Sequence, residues 1–142
     1  MSDFSLIDPN FKIKTELEET DIRFYNVRTS PFEVYGVFYE NGRFRRLPEA
    51  VAKTVSNGII SLHVHNAGGR VRFKTDSEYV AINAKMSAIG KMSHFALTGS
   101  AGFDLYADNS YVKTFSPPYD IEDGYESVIH FASEQMREIT VN

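Results

Sequence analysis

Gly102-Phe103-Asp104-Leu105-Tyr106 is the stretch that decides the fold, because it joins a turn of small residues to a strand with an acidic outer face. Phe103 and Leu105 alternate with Asp104 and Tyr106, and side chains that alternate along a strand point to opposite faces. The glycine that opens the stretch gives the backbone the freedom that a turn needs. The sequence therefore predicts a strand with an apolar inner face and a polar outer face.

Short alternating segments extend from this strand in both directions. Residues 60–65 and 80–86 carry apolar side chains at every second position, and residues 70–74 alternate basic and apolar side chains. Turn signals separate such segments at the spacing of roughly 8 to 12 residues that is typical of sandwiches and barrels. The pattern predicts an all-β fold of about eight antiparallel strands with little or no helix.

Two tight turns are marked by residues that tolerate a positive φ. One is Asn41-Gly42, and the other is Asp108-Asn109-Ser110, which follows the central stretch. Such residues favour the two-residue turns of β-hairpins. Residues 48–53 begin with proline and are predicted to form at most one helical turn, which Ser56-Asn57-Gly58 ends.

The longest loop and the domain boundaries are predicted from the absence of regular sequence patterns. Residues 87–101 show no regular spacing of apolar side chains and contain many small residues, so they are predicted to form the longest irregular loop. Long loops in compact domains are more often functional than accidental. No repeat or linker divides the chain, which predicts a leading arm at residues 1–20 and a single β-sandwich domain at residues 21–142.

Composition argues against several classes of protein. The chain of 142 residues is long enough to bury a core, and it has no cysteine, so no disulfide can form. Its net charge of -4 argues against a nucleic-acid partner, and no apolar run approaches the ~20 residues that cross a bilayer. The first residues include no basic region or long apolar run, so we expect no secretory signal and a cytoplasmic location.

His63-x-His65 is the sharpest candidate for a metal site, because alternate positions of a strand can aim two imidazoles at one ion, as cupin barrels do. The remaining histidines, His94 and His130, lie elsewhere in the sequence. No carboxylate follows the pair, where Ala67-Gly68-Gly69 stands, and local sequence places no third ligand. We therefore predict no metal site and no cofactor, with a cupin-like metal-dependent enzyme as an alternative.

Nucleophilic catalysis has no candidate in this chain. No serine lies in a Gly-x-Ser-x-Gly elbow or a Gly-Asp-Ser start, and there is no cysteine, so we predict no catalytic residue. Tyrosines near Asp, Asn and Arg are the ingredients of a sugar platform, which makes a free-standing carbohydrate-binding module a second alternative. The candidates for that platform are Tyr79, Tyr106, Tyr111, Tyr119 and Tyr125.

Six motifs follow one another along the chain. They are Arg46-Leu47-Pro48, His65-x-Ala67-Gly68, Arg70-Val71-Arg72-Phe73-x-Thr75-Asp76-Ser77, Met92-x-His94, Thr98-Gly99 and Gly102-x-Asp104-Leu105-Tyr106. In this order they resemble the GxDLY domain, the N-terminal β-sandwich of a group of bacterial SGNH-type esterases and acylhydrolases. The resemblance covers residues 36–115. It departs at Phe95, where methionine is expected, and at His63, where a small polar residue is usual.

The resemblance implies a jelly-roll-like antiparallel β-sandwich that packs on a downstream SGNH catalytic domain and shapes its substrate cleft. That catalytic domain carries a Gly-Asp-Ser nucleophile block and an Asp-x-x-His pair, and neither occurs in the 142 residues. We therefore expect a non-catalytic accessory domain, excised or separately encoded, from a hydrolase of acyl or carbohydrate esters. If closing strands are missing, the last strand leaves an unpaired edge through which a homodimer forms.

The resemblance also assigns roles to single residues. We expect His94, with Met92 and Thr98, to face the substrate cleft. The residues expected to hold a corner of the sandwich or to contact the catalytic domain are His65, Arg70, Gly102, Asp104, Leu105 and Tyr106.

Overall fold

The computed structural model describes residues 17–19, 21–87 and 89–142, which form nine strands and three short helices. The strands are β1 (Glu33–Tyr35), β2 (Phe38–Glu40), β3 (Arg43–Arg45), β4 (Arg70–Thr75), β5 (Tyr79–Lys85), β6 (Phe103–Ala107), β7 (Ser110–Phe115), β8 (Gly124–His130) and β9 (Arg137–Val141). The helices are α1 (Glu49–Val55), α2 (Asn57–Leu62) and α3 (Leu97–Ala101). The predicted all-β class, with antiparallel strands and few helices, is confirmed.

The strands form three sheets. A five-stranded sheet has the order β1-β4-β9-β6-β7, and two ribbons pair β2 with β3 and β5 with β8. The last strand, β9, therefore lies between β4 and β6, with Ile139 opposite Phe73 on one side and Ala107 on the other. The expectation that the last strand forms an unpaired edge was wrong, because long-range pairing places it inside the sheet.

Two compact units divide the described chain. The first unit comprises residues 76–103 and 113–135 with the described residues up to 26, and the second comprises residues 27–75, 104–112 and 136–142. The buried apolar residues of the first unit are Ile22, Val80, Ala101, Phe115, Ile121, Tyr125 and Ile129. Those of the second unit are Ala52, Leu105, Ile139 and Val141. Each unit thus buries apolar side chains of its own, which is the main favourable contribution to folding.

Both predicted hairpin turns are confirmed. Between β2 and β3, Asn41 has a φ of 49° and Gly42 a φ of 80°. Between β6 and β7, Asp108 has a φ of 49° and Asn109 a φ of 66°. Two consecutive positive φ angles define the turn whose twist matches that of the flanking strands.

The strand predicted at residues 60–65 was wrong, because these residues lie in and just after α2. Ser56 begins this helix, and its Oγ accepts a hydrogen bond from the backbone N–H of Ile59 at 3.3 Å. Helix α1 is also longer than the single turn predicted, since it runs to Val55. Ser56 therefore ends one helix and caps the next, so the chain stays helical beyond the predicted stop.

The predicted leading arm at residues 1–20 lies outside the described residues except for residues 17–19. Across the described ranges, none of the three helices combines the length and the apolar character needed to cross a membrane.

Candidate functional site

The central stretch forms the end of α3 and the strand β6. Gly102 closes α3, where its N–H donates to the carbonyl oxygen of Thr98 at 3.1 Å. Its φ of -79° is open to any residue, but a Cβ at this position would overlap that same carbonyl oxygen. Glycine is required here because the backbone passes close to α3, and not because the chain turns through a left-handed conformation.

Asn142 joins two of the residues that the resemblance assigns to structural roles. Asp104 and Asn142 exchange two backbone hydrogen bonds of 3.0 Å, and Arg70 Nε donates to Asn142 Oδ1 at 2.9 Å. The next residue, Leu105, is fully buried and lies opposite Val141. Strands β4 and β6 are thus both bonded to the C-terminal end of β9.

Tyr106 and His65 occupy different places in the second unit. The ring of Tyr106 lies edge-on to that of Tyr111, with 5.7 Å between centroids. His65 is exposed, and its backbone N–H donates to the carbonyl oxygen of Leu62 at the end of α2. Hence Tyr106 takes part in an aromatic pair on the sheet, whereas His65 follows a helix.

The three residues expected to face a cleft lie on one segment of the first unit. Met92 and Phe95 are bridged across a tight turn, with the N–H of Phe95 donating to the carbonyl of Met92 at 3.2 Å. His94 is exposed at this turn, which we call the 91–95 turn. Helix α3 follows and contains Thr98. The loop predicted at residues 87–101 thus ends in a helix, α3, that the sequence pattern did not predict.

The 91–95 turn exposes apolar side chains around His94. Met92 is 48% exposed and Phe95 49%. The ring of Phe95 covers Gly99, where an added Cβ would meet Phe95 Cε1 at 2.8 Å. Small residues in α3 therefore allow this ring to pack against the helix while leaving half of its surface open.

Tyr119 adds an aromatic ring to the first unit that is 87% exposed. Lys91 Nζ donates to the carbonyl oxygen of Tyr119 at 3.0 Å and lies 5.7 Å from the centre of its ring. This bond ties the segment around Tyr119 to the start of the 91–95 turn. No local pattern in the sequence predicts this contact, since the Pro117-Pro118 break just before Tyr119 indicates only a loop.

Tyr125 anchors the inner side of the first unit. Its hydroxyl lies 2.8 Å from the carbonyl oxygen of Ala101 and 2.9 Å from that of Phe115, so one O–H is shared between the end of α3 and the end of β7. Burial raises the pKa of Tyr125 to about 12, because the phenolate would lose its hydration. The hydroxyl therefore stays protonated and holds α3 in place.

We expect Tyr125→Phe to reduce the loss of stability at high pH. A folded-state pKa of about 12, above the ordinary value of 10.0, means that the contribution of Tyr125 is complete below pH 10 and is lost as the pH rises through 12. Burial is the larger cause, and the hydrogen bond to the Asp21 carboxylate the next, of the rise in the pKa of Tyr79 to about 12. Part of the loss of stability at high pH should therefore remain in Tyr125→Phe. Urea unfolding at several values of pH measures this, with Tyr119→Phe as the exposed control. An unchanged pH dependence in Tyr125→Phe would contradict it.

The tyrosines proposed as a sugar platform have separate roles. Tyr125 is buried, and the hydroxyl of Tyr79 donates to Asp21 Oδ1 at 2.7 Å. Tyr106 and Tyr111 belong to the second unit and pair with each other. Tyr111 is 57% exposed in the second unit and Tyr119 87% in the first, and the carbohydrate platform stays a prediction.

His63 is a structural residue of the second unit. Arg45 Nη1 lies 2.8 Å from His63 Nε2, and His63 Nδ1 lies 2.8 Å from the carbonyl oxygen of Ile60. A guanidinium cannot accept a hydrogen bond, so Nε2 accepts from Arg45 and Nδ1–H donates to Ile60. Both ring nitrogens are therefore in use, and the premise that His63 and His65 share a strand face was wrong.

Arg45 is the centre of a polar cluster that joins the β2–β3 hairpin to α1 and to the end of α2. Its side chain is 8% exposed and lies 3.7 Å from Glu40 Oε2 and 3.6 Å from Glu49 Oε2. Lys53, bonded to Glu49 at 2.9 Å, lowers the pKa of the Glu49 carboxyl, with Arg45 as the smaller cause. Among the described residues, no group of three or more His, Cys, Asp or Glu has the arrangement of a metal site.

The described end of the leading arm is bonded to the first unit. Glu19 Oε1 lies 3.0 Å from His130 Nε2, and the ring of His130 lies 5.7 Å from that of Tyr79. Asp21 Oδ1 also accepts a hydrogen bond from the hydroxyl of Tyr79. These contacts hold the described end of the leading arm against β5 and β8 within the first unit.

These features define an antiparallel β-sandwich domain with one exposed turn that carries a histidine between apolar residues. Residues 22–142 match the family model GxDLY, described as the N-terminus of SGNH hydrolase-type esterases. The chain therefore belongs to the GxDLY family, which confirms the resemblance found in its motifs. Among the curated proteins, no match is found.

Two solved structures share the fold. One is a protein assigned as a GDSL-like lipase from Bacteroides ovatus ATCC 8483, with 17% identity, a TM-score of 0.65, and coverage of 77% of this chain and 33% of that chain. The other is the salicylyl-acyltransferase SsfX3 from a tetracycline biosynthetic pathway, with 16% identity, a TM-score of 0.59, and coverage of 78% and 32%. The chain therefore spans about a third of the length of these two proteins.

Proposed function

We propose that this chain is the non-catalytic N-terminal domain of an SGNH-type ester hydrolase, and that it packs on the catalytic domain and shapes the substrate cleft. The observation that carries the proposal is the match of residues 22–142 to a family described as the N-terminus of such esterases. The sequence itself has neither the Gly-Asp-Ser block nor the Asp-x-x-His pair of the hydrolase. Both support an accessory role, with the nucleophile supplied by another domain.

The 91–95 turn is the element that we assign to the cleft. Met92 and Phe95 leave about half of their surface in solvent, so an acyl group that covered them would gain apolar contact. Methionine adapts to apolar groups of different shape, which suits the acyl part of an ester. His94 between them can donate or accept a hydrogen bond at an ester oxygen. Thr98 lies on the helix that supports the turn.

The proposal is tested by comparing the purified 142-residue chain with the product of its complete reading frame. We expect the chain alone to hydrolyse no acetyl or short-chain acyl ester, and the complete product, carrying a Gly-Asp-Ser block, to hydrolyse them. Esterase activity in the chain alone that a serine-directed inhibitor abolishes would overturn the non-catalytic role.

The place of the 91–95 turn is tested in the complete enzyme. His94→Ala should raise KM about tenfold with little change in kcat, which is equivalent to roughly 1.4 kcal/mol of lost substrate binding. Lys74→Ala, an exposed change on β4, is the control and should leave both constants unchanged. If both variants behave like the parent enzyme, the turn does not face the cleft, while the accessory role would still stand on the first experiment.

A further inference from the structure

Helices α1 and α2 of the second unit, with a leucine just before them, carry a group of exposed apolar side chains. The exposed fractions run from 37% for Ile60 to 60% for Val55. A single exposed apolar residue is ordinary on a protein surface, whereas several within one short segment indicate a surface that another body covers. We call this group the 47–62 patch, and its members are Leu47, Val51, Val55, Ile60 and Leu62.

The two leucines of the patch line one open depression, together with Arg46, Ile59 and His63. Arg46 Nη2 donates to the carbonyl oxygen of Leu62 at 2.8 Å, and the Arg46 backbone N–H donates to that of His63 at 2.9 Å. Both ring nitrogens of His63 are also bonded within the unit. The surface that these bonds leave open is mainly apolar, which suits the side chains of another protein surface better than a polar ligand.

The stability of the helices does not account for the exposed valines of the patch. Helix α1 buries Ala52 completely, whereas Val51 and Val55 are exposed one turn apart on one face of the helix. Valine is a weaker helix former than alanine. These two side chains therefore add little to the helix or to the core, and covering them would lower the free energy.

The C-terminal end of β9 lies close to the patch. Arg70 Nε donates to Asn142 Oδ1 at 2.9 Å, and two hydrogen-bonded turns, at residues 62–65 and 66–69, connect Leu62 with Arg70. Each turn keeps its ends within about 7 Å, so the Cα of Arg70 lies no more than about 22 Å from that of Leu62. An interface of ordinary size, about 800 Å² on each partner, is roughly 30 Å across and would span this distance.

We propose that the 47–62 patch is the surface through which the second unit packs on the downstream catalytic domain. The inference rests on the proposed function, under which the polypeptide continues from Asn142 into that domain. A domain joined at Asn142 is held at a high effective concentration beside the patch, so a modest apolar contact is enough to dock it. The surface that docks is accordingly apolar at its centre, with aliphatic or aromatic side chains that fit between Leu47 and Leu62.

The test uses the absence of cysteine from the chain, which lets one introduced thiol report on its own position. Iodoacetamide alkylates Leu62→Cys in the 142-residue chain and in the product of the complete reading frame, and mass spectrometry measures the rate at that site. We expect alkylation to be at least about tenfold slower in the complete product, because the catalytic domain covers the thiol. Val55→Cys repeats the measurement on α1, and circular dichroism shows that each variant is folded.

Met136→Cys is the matched control, since Met136 is 64% exposed and belongs to the same unit. It precedes β9, so it lies at the opposite end of that strand, roughly 20 Å from Asn142. Its thiol should react at the same rate in both proteins. Equal slowing at Met136 and Leu62 would mean general shielding and would overturn the assignment of the patch.

Three further outcomes separate this inference from the proposed function. Equal rates for Leu62→Cys in both proteins, with ester hydrolysis by the complete product, would overturn the docking surface and leave the proposed function intact. A complete product that has no Gly-Asp-Ser block and hydrolyses no ester would overturn both. A rate that falls as the concentration of the 142-residue chain rises would assign the patch to a second copy of the chain and overturn the docking surface.

Discussion

Gly102→Ala should destabilise the protein by about 3 kcal/mol, at the upper end of what overpacking costs. The added Cβ would overlap the carbonyl oxygen of Thr98 and come within 3.0 Å of Thr98 Cα. Both atoms belong to the backbone of α3, so no side-chain rotation relieves the overlap. The hydrogen bond from the Gly102 N–H to Thr98, 3.1 Å long, would also have to lengthen. Urea unfolding followed by circular dichroism measures the loss.

Gly90→Ala is the matched control for this prediction. A Cβ at Gly90 meets no atom within 4 Å, and its φ is not in the left-handed region. We expect this variant to stay within about 0.5 kcal/mol of the parent, as is usual for surface changes. Equal stabilities of the two variants would mean that the backbone at Gly102 shifts away from Thr98 without cost, and that the close approach does not explain the glycine.

The β6 strand and the two hairpins were predictable because their signals are local. Alternation over Phe103–Ala107 and pairs such as Asn41-Gly42 specify the backbone within a few residues. The order of strands was not predictable in the same way. The position of β9 between β4 and β6 depends on pairing with residues more than 30 positions away, which no local pattern encodes.

Helix α2 shows where the spacing of apolar residues fails to distinguish a helix from a strand. Ile60 and Leu62 alternate with polar residues over a segment too short to separate a period of two from a helix. The Ser56 cap is the local signal that favours a helix, but Ser56 also ends α1, so its sequence context predicts a stop equally well. Both apolar side chains are exposed in the structure, Ile60 at 37% and Leu62 at 53%, so burial does not enforce a strand pattern.

The candidate site was only partly visible in the sequence. Met92, His94 and Thr98 are neighbours along the chain, so placing them on one segment required no knowledge of the fold. The bonds that hold this segment come from elsewhere, since Tyr125 reaches the end of α3 and the Tyr119 carbonyl accepts from Lys91. Such contacts join residues 24 to 28 positions apart, and composition or spacing cannot identify them.

Arg45→Met should also cost about 3 kcal/mol, because it removes the buried member of a polar cluster. Without the guanidinium, His63 Nε2 loses its 2.8 Å partner inside the protein, and the Glu40 carbonyl loses a bond from Arg45 Nε at 3.2 Å. An unsatisfied buried acceptor alone costs roughly 1 to 3 kcal/mol. Glu40 and Glu49 would also lose the cation between them, although both carboxylates are partly hydrated.

A double-mutant cycle separates this cluster from general loss of packing. If Arg45 acts through His63, then Arg45→Met, His63→Leu and the double variant should show a coupling free energy of about 1 kcal/mol or more. Arg70→Met is the control, since Arg70 makes a comparable 2.9 Å bond to Asn142 on the exposed surface and should lose less than about 1 kcal/mol. Additive effects of Arg45→Met and His63→Leu would contradict the pairing. Additivity would mean that the Nε2 of His63 does not depend on Arg45 for its hydrogen bond. Strong coupling would mean that the guanidinium of Arg45 occupies this acceptor nitrogen.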